Sequence, residues 1–142
     1  MKVRDVMTKQ VVRIGAQEPV EVAARTLTHY NLGALPVCGA DGRVCGMVTD
    51  RDVVTRCVAA GRNPGIAKVR DVMTGRVISV QPDMDVAEAA QQMGEHQLRR
   101  LPVVEAGRLC GMVTLCDLAE RAKEETNVAD TLGRISANIT KK

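Results

Sequence analysis

The chain is written twice. "VRDVMT" occupies residues 3–8 and returns at 69–74, and "LPV" at 35–37 returns at 101–103, both displaced by about 66 residues. After one residue is lost from an intervening turn, "GRVCGMVT" at 42–49 is answered by "GRLCGMVT" at 107–114. A duplication of this kind restricts the fold severely. Each half must be the same supersecondary unit, and a half of this length buries too little surface alone, so the chain is one domain or two small ones sharing a core.

Both copies predict the plan β-α-β-β-α. A short apolar strand at 11–14, or 77–80, leads to Pro19 or Pro82 and then to a helical pattern. Val20, Ala23, Ala24 and Leu27 share one face of the first helix, as Val86, Ala89, Ala90 and Met93 share one face of its counterpart. Two strands follow, 35–38 and 44–48 around "GADGR", or 101–104 and 109–113 around "EAGR". Thr49 and Thr114 then open a second helix, with Val53, Val54 and Cys57, or Leu118 and Ala122, on its inner face. We therefore divide the chain into a first repeat (1–60), a linker with Gly61, Pro64 and Gly65 (61–68), a second repeat (69–125) and a tail (126–142). In that tail Val128, Leu132, Ile135 and Ile139 recur at helical spacing, which predicts an amphipathic helix that closes its own domain or packs across a dimer.

Composition excludes several classes. With 45% hydrophobic and 26% charged residues, the 142-residue chain reads as an ordinary globular protein. Tyr30 is the sole aromatic residue, so the stacking platforms of single-strand nucleic-acid binders are missing. The net charge of +3 is spread among acids rather than gathered in a run, which makes a nucleic-acid partner improbable. Cys38, Cys45, Cys57, Cys110 and Cys116 form no CxxC pair, and only His29 and His96 could join them at a metal. They read as small buried residues of a reducing, cytoplasmic compartment. No apolar run reaches membrane-spanning length, the start "MKVRDVMT" lacks a signal-peptide core, and the sequon Asn138-Ile139-Thr140 carries no weight in that compartment.

The most informative short pattern is Gly, two apolar residues, Thr, two variable residues and Asp, at 46–52 and 111–117. One explanation is a helix cap, in which Thr accepts from the backbone at N3 and the acid at N3 returns the bond. The other uses the same geometry for a ligand. A carboxylate just past a strand can accept ribose hydroxyls, and a helix start favours phosphate. The two explanations are compatible.

Taken whole, the doubled series of "DVMT", strand, Pro, Ala-rich helix, "LPV", hairpin and Gly-x-x-Thr-x-x-Asp closely resembles a tandem pair of cystathionine-beta-synthase (CBS) domains, a Bateman module, over about residues 3–125. The resemblance implies an α/β (α+β) fold of two β-α-β-β-α repeats with pseudo-two-fold symmetry, packed through their sheets. It implies a regulatory, non-enzymatic module that binds adenosine-containing ligands (AMP, ADP, ATP, S-adenosylmethionine, in some members NAD) in clefts between the repeats, with no required cofactor or metal. Carried over, Thr49 and Asp52 would hold the ribose in one cleft, and Thr114 and Asp117 in the other.

The family's adenine pocket draws on the opposite repeat. For the Asp117 cleft this implies Met7, Gln10, Val12, Leu32 and Gly33; for the Asp52 cleft, Met73, Arg76, Ile78, Leu98 and Arg99. Phosphates need cations, and the copies differ there. Arg99 and Arg100 precede the second "LPV" where the first copy has Gly33 and Ala34, so they are expected at the phosphates of the Asp117 ligand. Arg51, replaced by Cys116 in the second copy, would serve the other cleft. The planar guanidinium fork suits a phosphate because it donates two bonds at once. A homodimer and an unidentified effector protein are the partners the resemblance implies. The main rival is a scaffold in which Thr49, Asp52, Thr114 and Asp117 are only caps; a nucleic-acid regulator is weaker.

Overall fold

The computed structural model describes residues 1–137. In chain order the first half holds α1 (Val3–Val6), β1 (Ile14–Gly15), α2 (Val20–Tyr30), β2 (Ala34–Cys38), β3 (Val44–Thr49) and α3 (Asp50–Asp52), which runs into a π-helical stretch, Val53–Val58. The second half holds α4 (Val69–Val72), α5 (Val86–His96), β4 (Arg100–Glu105), β5 (Arg108–Thr114), α6 (Leu115–Arg121) and α7 (Val128–Ile135). The fold is mixed α/β, with one three-stranded sheet in the order β1-β2-β3 and one two-stranded sheet, β4-β5.

The compact units are not the sequence repeats. One is Val12–Val77; the other joins Met1–Val11 to the chain from Ile78 onward. Each unit thus contains the "KVRDVMT" segment of the other repeat. The segment forms a four-residue helix because an acid closes it: Asp5 Oδ2 accepts the Lys2 N–H at 2.9 Å, and Asp71 Oδ2 the Lys68 N–H at 3.2 Å. Val3 and Val6, like Val69 and Val72, then bury their side chains completely. Beyond the helix, Thr8 exchanges backbone bonds with Met112 of β5, and Thr74 with Met47 of β3, at 2.8–3.0 Å. This close approach explains the glycine of the repeated motif. A Cβ on Gly46 would stand 2.9 Å from the Thr74 carbonyl oxygen and 2.5 Å from Met73 Sδ, and one on Gly111 3.1 Å from the Thr8 carbonyl oxygen and 2.5 Å from Met7 Sδ.

The strands expected at 11–14 and 77–80 are shorter than the apolar runs suggest. Only Ile14–Gly15 pairs with β2, in parallel, and the second run reduces to one parallel bridge, Val80 to Val103. Val12 and Ile78 pack on the two cores through their side chains, so burial satisfies these apolar positions without a longer ladder.

Helix α2 buries Val20, Ala23 and Leu27, with Ala24 only half-buried, whereas α5 buries Val86, Ala89, Ala90, Met93 and Gly94. Both end in a left-handed residue at the same place, Asn31 (φ 53°) and Gln97 (φ 57°). The second helices diverge. Helix α6 is regular, but after Asp52 the first copy widens to i+5 bonding, with the Ala59 N–H on the Val54 carbonyl at 2.8 Å. A β-branched run, Val53-Val54-Thr55, crowds this turn, and the Thr55 hydroxyl takes the Arg51 carbonyl at 2.8 Å, competing with the regular i−4 bond. Cys57, Leu118 and Ala122 are buried as expected and Val53 is half-buried, but Val54 is 58% exposed, since the inward stripe is only one residue wide there.

The tail helix forms as α7, capped by Asn127 Oδ1 on the Asp130 N–H at 3.0 Å. It lies on α5 and α6, within the unit those helices belong to, and buries Thr131 and Ile135. Leu132 stays 40% exposed, while Ile139 and the sequon lie outside the described residues.

Candidate functional site

Each site is built where a buried strand turns into a helix. Strand β3 ends at Thr49 and β5 at Thr114, both extended (φ −117° and −119°), so the next residue starts a helix with its first N–H groups unpaired by the helix itself. Thr49 Oγ1 accepts the Asp52 N–H at 3.0 Å and Asp52 Oδ2 accepts the Thr49 N–H at 3.0 Å. In the second copy the same bonds measure 3.1 Å and 2.8 Å, between Thr114 and Asp117. Both capping boxes are therefore formed. Each uses Oδ2 of its acid, which leaves Oδ1 as an acceptor.

The two copies differ in the groups around that oxygen. Asp52 is 8% exposed, with Arg56 Nε 3.8 Å from its Oδ1, and Arg56 also donates to the Met73 and Val72 carbonyls at 3.1 and 3.3 Å. Asp117 is half-buried, and Arg121, which matches Arg56, donates to the Val6 carbonyl at 3.3 Å. These two arginines fasten the exchanged "VRDV" helices to the helix that carries the motif acid. Their signal was available in the sequence, since Asp-x-x-x-Arg follows Thr in both copies.

Arg99 and Arg100 lie beside Thr114. The Arg99 carbonyl accepts the Leu115 N–H at 2.8 Å, and Arg100 pairs with Thr114 across the β4–β5 ladder. In the first copy Gly33 and Ala34 hold these positions: the Gly33 carbonyl accepts the Asp50 N–H at 3.0 Å and Ala34 pairs with Thr49. Asp50 was not anticipated. It is exposed, and its Oδ1 takes the Arg51 N–H at 2.8 Å, so an additional acid sits at the first helix start where the second has Leu115. Arg51 is exposed, and none of Arg51, Arg99 and Arg100 enters an ion pair among the described residues. The Thr114 junction is thus the more cationic of the two.

The residues assigned to the adenine divide between the units. Met7 and Gln10 belong with Asp117, while Val12, Leu32 and Gly33 lie in the unit of Asp52. Conversely Met73 and Arg76 belong with Asp52, and Ile78, Leu98 and Arg99 with Asp117. Met7 and Ile78 pack on one core, and Val12, Leu32 and Met73 on the other, whereas Gln10 and Arg76 are exposed.

Burial pushes the thiols of Cys38, Cys45 and Cys110 above their ordinary range, so these side chains stay protonated at neutral pH. Cys116, between Thr114 and Asp117, is exposed. Among the described residues no group of three or more His, Cys, Asp or Glu side chains is placed to hold a metal ion, and no helix is long and apolar enough to cross a membrane.

Comparison with known proteins identifies the pattern. The model of the CBS domain matches twice, over residues 3–59 and 69–124. The chain is 38% identical over 125 residues to Hypoxic response protein 1 of Mycobacterium tuberculosis, covering 88% of this chain and 87% of that one. To the CBS domain-containing protein YhcV of Bacillus subtilis it is 38% identical over 134 residues, covering 94% of each. Among solved structures, Hypoxic Response Protein I with two coordinated zinc ions superposes with a TM-score of 0.79 at 37% identity, over 85% of this chain and 98% of that one. The CBS domain pair of protein MJ0100, in complex with 5-methylthioadenosine and S-adenosyl-L-methionine, superposes with a TM-score of 0.73 at 25% identity, over 84% and 98%.

Proposed function

Because the chain belongs to the CBS-domain family, as two CBS domains in tandem, we propose that it is a regulatory module that binds adenosine-containing ligands at Asp52 and at Asp117. The observation that carries this reading is the doubled cap in which one carboxylate oxygen closes the helix and the other is left as an acceptor. A ribose offers two hydroxyl donors to such an oxygen and to the neighbouring Thr49 or Thr114 hydroxyl. The adenosine ligands of the MJ0100 pair support the ligand class.

Charge separates the two sites. At Asp117, Arg99 and Arg100 flank the strand end and there is one acid in the first turn; at Asp52, Asp50 adds a second acid beside Arg51. Phosphorylated ligands such as AMP, ADP and ATP therefore belong at Asp117, and the Asp52 site suits a ligand with less negative charge, such as S-adenosylmethionine. The base is read by Met7, Gln10, Val12, Leu32 and Gly33 for Asp117, and by Met73, Arg76, Ile78 and Leu98 for Asp52. The module senses without catalysing, acts in the cytoplasm as a homodimer, and passes its state to an effector protein. Ligand binding shifts its conformations only as far as one conformation binds the ligand better.

Helix capping alone is the competing reading, and one substitution distinguishes the two. In Asp52→Asn and Asp117→Asn the amide oxygen can still accept the Thr N–H, but the remaining group is a donor that no longer accepts from ribose. A thermal-shift panel of AMP, ADP, ATP, S-adenosylmethionine and NAD should raise the melting temperature of the wild type. A ligand at a hundred times its Kd adds about 2.7 kcal/mol. The double Asn variant should melt close to the unliganded wild type and gain nothing from any ligand. Equal shifts in both proteins, or no shift in a folded, ligand-free wild type, would reduce the motif to two caps.

A further inference from the structure

One guanidinium in the Val12–Val77 unit reaches both the motif acid and the exchanged segment. Arg56 follows Asp52 at i+4, and its Nε lies 3.8 Å from Asp52 Oδ1, the carboxylate oxygen that the cap leaves as an acceptor. Its Nη1 donates to the Met73 carbonyl at 3.1 Å and to the Val72 carbonyl at 3.3 Å. These carbonyls stand at the end of α4, a helix of four residues, where the last carbonyls have no partner within the helix. A cation placed there satisfies them and opposes the partial negative charge of the helix end.

Both groups that Arg56 faces are otherwise fixed in one direction only. The cap sets Asp52 Oδ2 on the Thr49 N–H, and the guanidinium then sets where Oδ1 points. The 3.8 Å separation exceeds the length of a charge-assisted bond, about 2.7–2.9 Å, so Oδ1 keeps its acceptor sites. The Met73 N–H is held by the Val69 carbonyl at 2.9 Å, and its carbonyl is held by Arg56. The other unit builds this differently. The matching Arg121 donates to the Val6 carbonyl at 3.3 Å, and among the described residues it forms no ion pair with Asp117. Arg56 stands on the π-helical stretch Val53–Val58 and Arg121 on the regular α6, so the two arginines leave differently wound turns.

We infer that Arg56 is a positioning residue of the Asp52 site, holding the acid that accepts the ribose and the Met73 backbone beside the base in one fixed relation. The inference rests on the ligand reading of Asp52 and names the residue that tunes its selectivity for ribose. A hydrogen bond to a carboxylate depends on the angle at the acceptor, so an Oδ1 released from Arg56 accepts ribose hydroxyls less well. An arginine that only stabilised α4 would instead act on every ligand of the site alike.

The test is calorimetric titration of adenosine, and of its dideoxy analogue that lacks both secondary ribose hydroxyls, into the full chain carrying Asp117→Asn. The Asp52 site is then the one that reports. This parent chain should prefer adenosine by on the order of tenfold or more, since the hydroxyls donate to a charged acceptor. Adding Arg56→Met, which keeps an unbranched stem at a half-exposed position, should reduce that preference several-fold, chiefly through weaker adenosine binding. Arg56→Lys, a point charge without the planar fork, should fall between the two. A preference in Arg56→Met equal to that of the parent, whether both affinities hold or fall together, overturns the inference and leaves Arg56 as a clamp on α4. No adenosine binding to the parent, or binding without preference over the dideoxy analogue, overturns the ligand reading of Asp52 itself, and the inference with it.

Discussion

The Val12–Val77 unit and the unit containing α5 to α7 share most of their apolar core and differ at their rims. Both keep the buried valines of "VRDV", the glycine under the crossing methionine, and the Thr–Asp cap. The second unit has a regular α6, a helix over its outer bed and two arginines beside its cap; the first has a π turn, an open groove and an extra acid. Duplication preserves what packing requires, because buried side chains at near-crystalline density tolerate little change in volume. The rim is free to diverge, and charge and coverage have diverged there together. Under the proposed function, two sites of one architecture would thus take different ligands.

The largest predicted effect should be common to both units. Gly46→Ala and Gly111→Ala each drive a methyl group against a crossing backbone carbonyl and a methionine sulfur, and each should cost about 2–3 kcal/mol in urea unfolding. A marked inequality between the two would show that the exchanged segments are held differently. Coverage by α7 should instead divide the units: Ile135→Ala, at 8% exposure, should cost about 2 kcal/mol or more, whereas Val54→Ala should stay within about 0.5 kcal/mol. A comparable cost at Val54 would mean that the groove is covered in solution.

Smaller effects sharpen the contrast between the hairpins. Both turns carry a positive φ on a matching glycine, Gly42 and Gly107 (each φ 81°), but the shorter turn also holds Ala106 at φ 53°, a conformation that Asn or Gly adopts more easily. Ala106→Asn should therefore raise stability by about 0.5–1 kcal/mol, measured by thermal melting. The smallest effect is electrostatic. Cys38, Cys45 and Cys110 have thiols raised above the ordinary 9.0 chiefly by burial, so the unfolded chain ionises first as pH rises. Their contribution is constant below pH 9.0 and declines above it, and replacing all three by Ala should flatten the alkaline limb of stability against pH.

Much of this was legible in the sequence because it is local. Helical spacing gave α2, α5 and α7, and Thr-x-x-Asp gave both caps, since each depends on residues within a turn or two of one another. The exchange of "KVRDVMT" between units was not legible: periodicity assigns that segment to its own repeat, while its buried valines and its pairing with Met47 or Met112 are long-range choices. The Asp-x-x-x-Arg spacing of Arg56 and Arg121 is local and legible, but their carbonyl partners are not, because these are distant in the chain. The apolar runs at 11–14 and 77–80 misled on strand length, because a buried side chain does not require a paired backbone. Val54 misled in the opposite sense, since an apolar residue can line an open groove.

The most direct test of the account is calorimetric titration of adenosine and ATP into the wild type, Asp52→Asn, Asp117→Asn and the double variant. Asp117→Asn is expected to remove the tighter ATP site, each single variant to lose one adenosine site, and the double variant to bind neither while keeping its wild-type melting temperature. Identical isotherms in the wild type and the double variant would contradict it, and would leave Asp52 and Asp117 as the caps of two helices.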